Sequence, residues 1–114
     1  MTDQQQPSVK KLEQIVSKAN MLVRAERFQD AITAFEAILP KLSSGTNKEK
    51  RLAASAFSYY GLCVASLRKK YADGMKYCQL SLKVQPKNPD HFENLARVHI
   101  LANSRKRAVD ALFK

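Results

Sequence analysis

The chain has 114 residues and a formal net charge of +10, from 20 Lys and Arg against 10 Asp and Glu. That length holds one small domain, and 45 % hydrophobic with 26 % charged residues is an ordinary globular balance. No apolar run approaches the ~20 residues of a membrane span, residues 1–6 lack the basic and apolar regions of a secretory signal, and three Gly and four Pro are too few for a chain of tightly turned strands.

Fourteen Ala and twelve Leu favour helices. Residues 1–7 are polar and Gln-rich and read as a disordered tail, with one domain over 8–114. From Ser8, the residues Leu12, Ile15, Val16, Ala19, Leu22 and Val23 recur at three and four, which predicts an amphipathic helix. After a turn at Glu26 and Arg27, Phe28, Ala31, Ile32, Phe35, Ile38 and Leu39 predict a second. Pro40 ends or kinks it, because proline lacks an N–H and clashes with the preceding turn. Residues 43–47 form the clearest loop, and Thr46 followed by Glu49 has the spacing of a capping box.

The third predicted helix is long, from about Lys48 to Arg68, with Leu52, Ala56, Phe57, Tyr60, Gly61 and Val64 as its buried stripe. A fourth runs from about Tyr71 to Val84, with Gly74, Met75, Cys78, Ser81 and Leu82 inward, and Pro86 stops it. Asn88 caps a fifth with Pro89 in the tolerated first position, and Phe92, Leu95, Ala96 and His99 form its stripe. Asn103 and Ser104 break it, and a sixth helix starts at Arg105 with Ala108, Val109 and Leu112 apolar.

These helices pair into a repeat. Phe57, Tyr60, Gly61 and Val64 align with Phe92, Leu95, Ala96 and His99; Gly74 and Cys78 align with Ala108 and Leu112. Gly61 to Ala96 is 35 residues and Gly74 to Ala108 is 34. Ile15, Lys18, Ala19 and Leu22, then Ala31 and Phe35, supply a first copy. Small residues let paired helices approach closely, and large ones fill the space beside them. The pattern resembles the tetratricopeptide repeat family, a 34-residue helix-turn-helix with small and large residues at these offsets. Gly61, Ala31, Phe35, Leu95, Pro86 and Ala108 match outright. No Trp fills the first slot, and Lys18 takes an otherwise apolar one, so its stem lies along the core edge.

The resemblance implies an all-α, right-handed superhelical stack of three antiparallel helix pairs, at about 12–45, 54–88 and 89–114. It also implies a non-catalytic scaffold or chaperone-like holder that takes a peptide or helix of a protein partner in its concave groove. The groove residues expected on that basis are Val16, Asn20, Arg24, Tyr59, Leu62, Ser66, Asn94, Arg97 and Leu101. One subfamily clamps the terminal carboxylate of heat-shock chaperones; its clamp positions here hold Val16, Asn20, Tyr59, Asp90 and Asn94, of which only Asn20 agrees. Val98, Leu112 and Phe113 form an open end, which predicts continuation of the stack or self-association.

Other chemistry is sparse. Lys69, Lys70, Arg105, Lys106 and Arg107 are candidate anion ligands, and a basic surface that binds nucleic acid or another polyanion is the alternative function. Cys63 and Cys78 show no metal-ligand spacing and read as reduced core thiols, which fits a cytoplasmic protein. His91 and His99 are the only histidines, and no nucleophile elbow or Gly-rich phosphate loop accompanies them, so neither catalysis nor a metal or other cofactor is expected.

Overall fold

The computed structural model describes residues 8–42 and 45–112. They form five helices: α1 (Val9–Arg24), α2 (Phe28–Ile38), α3 (Asn47–Arg68), α4 (Tyr71–Val84) and α5 (Pro89–Leu112), with a 3₁₀ turn at Leu39–Lys41 around Pro40. There is no strand among the described residues, and no helix among them is long and apolar enough to cross a membrane. The expected tail at 1–7 and the loop residues 43 and 44 lie outside the described residues.

Local chemistry sets the helix starts. The Lys11 N–H donates to Ser8 Oγ at 3.2 Å and caps α1. Thr46 and Glu49 form the expected capping box: the Glu49 N–H donates to Thr46 Oγ1 at 3.1 Å and the Thr46 N–H to Glu49 Oε1 at 2.9 Å. The Asp90 N–H donates to Asn88 Oδ1 at 2.9 Å, with Pro89 in the first turn where a missing N–H costs nothing. At the two tight turns Glu26 and Lys69 take left-handed conformations (φ 60° and 61°). The Arg27 N–H then reaches back to the Leu22 carbonyl at 2.8 Å, and the Lys70 N–H to the Val64 carbonyl at 3.2 Å.

The core runs through all five helices. Val16, Ala19 and Val23 of α1, Ala31, Ile32 and Phe35 of α2, Ala56, Cys63 and Val64 of α3, Cys78 of α4 and Val98 of α5 are buried in one cluster. The predicted stripes of the first four helices face this core. Aromatic rings bridge α2, α3 and α4: Tyr60 meets Phe35 edge-on at 6.2 Å and Tyr77 at 5.2 Å, while Phe57 stacks on Tyr77 at 5.6 Å. Beside them Glu36 accepts from the Tyr60 hydroxyl at 2.9 Å and from both arms of Arg68, at 2.7 and 3.1 Å. Those bonds, Arg68 first, hold the Glu36 carboxyl below its usual range.

α3 and α4 touch at their two glycines. A Cβ on Gly61 would stand 2.7 Å from the Gly74 carbonyl oxygen, and one on Gly74 would stand 2.6 Å from that of Gly61. Cys63 and Cys78 are buried and unbridged, and burial pushes both thiols up to about 12, so they pack as small apolar groups.

The C-terminal end differs from the sequence expectation. α5 passes through Asn103 and Ser104 without a break, so the predicted fifth and sixth helices are one element and the third pair is not a helix-turn-helix. Charge supplies a reason. A helix starting at residue 105 would put Arg105, Lys106 and Arg107 in its first turn, against the positive end of the helix dipole. In mid-helix those cations meet no such field. Without a returning helix, Phe92 (53 % exposed), Ala96 and His99 face solvent rather than a partner, and Val98, expected at the open end, is fully buried.

Candidate functional site

α3 lies between α1 and α5, packing against both, and the three helices share one open face. Polar bonds stitch it across. The Asn20 side-chain amide donates to Ser55 Oγ at 3.0 Å, joining α1 to α3. Arg24 donates to the Tyr59 hydroxyl from Nε at 3.1 Å and from Nη2 at 2.6 Å. The same Nη2 lies 3.4 Å from Asp90 Oδ2, so one guanidinium reaches from α1 over α3 to α5. Asn94 donates to Ser58 Oγ at 2.8 Å inside the α3–α5 contact, and on the rim Arg97 pairs with Glu93 at 3.1 Å. Burial raises the Tyr59 phenol above its usual range, so it stays protonated against the guanidinium.

Three clefts follow one another along this face. A cleft of about 320 Å³ lies between α1 and α3, bounded by Glu13, Asn20, Met21 and Ser55. A second, of about 150 Å³, sits where Arg24, Tyr59, Asn94 and Arg97 converge. The third, of about 430 Å³, opens between Phe28, Leu62, Ser66, Ile100 and Leu101. Asn20 Oδ1 is buried beside the first cleft with no hydrogen-bond partner among the described residues.

Every groove residue expected from the sequence borders one of these clefts, but in two different roles. Val16, Tyr59, Leu62 and Asn94 are buried and form the floor. Asn20, Ser66 and Leu101 are half-buried, while Arg24 and Arg97 are exposed. Tyr59 accepts from Arg24 and Asn94 donates to Ser58, so both side chains help hold the helices in place. Met21 (65 % exposed) and Ile100 (63 %) are the large apolar side chains standing over the floor. Sequence reasoning missed both; the signal was their offset of one residue from the half-buried Asn20 and Leu101.

The candidate anion ligands Lys69, Lys70, Arg105, Lys106 and Arg107 are all exposed. Lys69 and Lys70 follow the end of α3, and Arg105, Lys106 and Arg107 lie in the last third of α5. His91 is buried and bonded through Nε2 to Gln85 Oε1 at 2.7 Å, which makes it part of the α4–α5 connection. No protein-family profile, curated protein or solved structure matches this chain.

Proposed function

We propose that this protein is a non-catalytic, cytoplasmic interaction module of tetratricopeptide-like design, which holds a peptide or helix of a partner protein on its α1–α3–α5 face. The carrying observation is the row of three clefts, with Met21 and Ile100 exposed over a floor of buried residues. The floor is fixed by bonds between helices, so an occupant meets a preorganised surface and loses little to ordering it. Clefts flanked by apolar side chains suit a segment with spaced apolar anchors, while the exposed Arg24 and Arg97 supply polar selection. The two helix pairs α1–α2 and α3–α4, each with small buried residues at corresponding places (Ala19 and Ala31; Gly61 and Gly74), support the repeat reading.

Selection of peptides from a displayed random library against the chain tests this. Recovered peptides should lose binding to a Met21→Glu/Ile100→Glu chain, whose altered side chains are exposed and leave the melting temperature in place. Recovery of peptides that bind both chains equally, or of none, would refute the groove.

A further inference from the structure

Between the first turns of α3 and the last turns of α4 lies a further cleft of about 210 Å³, bordered by Lys50, Ala53, Phe57, Leu80 and Val84. It shares no bordering residue with the three clefts of the α1–α3–α5 face. Its walls are apolar. Leu80 and Val84 are exposed, at 44 % and 45 %, and Phe57 is half-buried. Ser81 and Ala54 also line the cleft; both are buried, and the Ser81 hydroxyl donates to the Ala54 carbonyl at 2.7 Å. Clefts that take a whole small molecule run to ~300–1,000 Å³. This one is smaller and has room for a single large side chain.

The charge around it has one sign. Lys50 borders the cleft itself. On α4, Lys76 and Lys83 stand four residues before and three after Leu80, the spacings that make neighbours on a helix surface. All three are exposed, and none forms an ion pair among the described residues. Two carboxylates come near in sequence. Glu49 is turned back to the Thr46 N–H at 2.9 Å, and Asp73 lies seven residues before Leu80, about 10 Å along the helix.

We infer that this cleft docks an acidic segment of a partner protein, which buries one large apolar side chain against Phe57, Leu80 and Val84 while its flanking carboxylates meet Lys50, Lys76 and Lys83. A second copy meeting it face to face sets like charges together. An anionic bilayer brings the charge but is too flat to fill a cleft. A nucleic acid brings the charge too, but the Phe57 ring is already stacked on Tyr77 at 5.6 Å, which leaves the cleft without a free ring face for a base. The surface is independent of the groove on α1, α3 and α5 and stands or falls without it.

The probe is the heptapeptide Glu-Asp-Glu-Phe-Glu-Asp-Glu, titrated into the full isotope-labelled chain and followed by amide chemical shifts, which also register weak binding. Saturable shifts should gather at residues 50–57 and 80–84 and shrink with added salt. Ala in place of the peptide's Phe should weaken binding about tenfold, and Lys50→Glu or Lys83→Glu in the chain about fivefold or more. Both lysines are exposed, so these variants keep the fold, and Leu80→Asp, checked by circular dichroism, should abolish the shifts. Absence of shifts at these amides, or shifts unaffected by the loss of Phe, overturns the inference. Equal shifts from an oligothymidylate would overturn it in favour of a general polyanion surface, and retention on phosphatidylserine vesicles that Leu80→Asp releases would overturn it in favour of a membrane.

Discussion

Replacing Gly61 with Ala puts a methyl group where the α3–α4 contact has no room. The new Cβ would lie 2.7 Å from the Gly74 carbonyl oxygen, 3.1 Å from Tyr77 Cβ and 3.3 Å from Cys78 Sγ. The closest of these is backbone, which moves only if the helices separate. Overpacking of this kind costs about 1–3 kcal/mol. Alanine's helix propensity offsets about 1 kcal/mol of that, which leaves a net loss of about 1 kcal/mol. For 114 residues the unfolding entropy is about 0.24 kcal/mol per kelvin, so the melting temperature should fall by about 4 °C. Calorimetry on Gly61→Ala, Gly74→Ala and the double variant measures it. The two methyl groups force the same separation, so the double variant should lose less than the sum of the singles. A melting temperature that rises by about 4 °C in the single variants would refute the reasoning. Propensity alone would then govern, and α3 and α4 would be free to spread without loss.

Acid should weaken the fold through His91. Burial lowers its pKa from the usual 6.5, because Nδ1 is enclosed with no partner among the described residues and the charged ring would lose its water. The unfolded chain therefore takes the proton first: stability is whole above about pH 6.5 and is lost as pH falls from there through the lowered value. Urea midpoints against pH should slope less in His91→Gln than in the wild type, and equal slopes would refute this. Thr46→Ala removes half of the capping box and should cost about 1 kcal/mol, read as a shift of the urea midpoint with unchanged slope. Ser81→Ala should cost a similar ~1 kcal/mol, since Ser81 Oγ donates to the Ala54 carbonyl at 2.7 Å and ties α4 to the start of α3; no change in midpoint would show that bond to be dispensable.

Legibility from sequence followed the range of the interaction. Helices α1 to α4, their caps and their buried stripes depend on residues three or four apart, and those were readable: Thr46 with Glu49, Asn88 before Pro89, Val16 with Ala19 and Val23. The close approach of Gly61 and Gly74 was readable too, because two small residues at matching offsets have few other uses in helix interiors. The turn at Asn103 was misread. Asn and Ser weaken a helix by only a few tenths of a kcal/mol each, and the charge of the three residues behind them counts against a new start there. Once that turn fails, the expected stripe of Phe92, Ala96 and His99 has nothing to pack against, so a single local misreading moved three residues from core to surface.

The groove residues were misjudged for a different reason. Helical spacing assigns a side chain to a face but does not say whether a neighbouring helix already claims its polar atoms. Asn94 and Tyr59 looked like free polar groups on the α5 and α3 faces, yet Asn94 donates to Ser58 at 2.8 Å and Tyr59 accepts from Arg24 at 2.6 Å. Their substitution should therefore loosen the packing of α1, α3 and α5 as well as alter any binding, and loss of binding in Asn94→Ala or Tyr59→Phe would not locate an occupant. Met21 and Ile100 are free of that ambiguity. They stand exposed over clefts at opposite ends of the same face, so losing both contacts together while stability holds separates recognition from architecture.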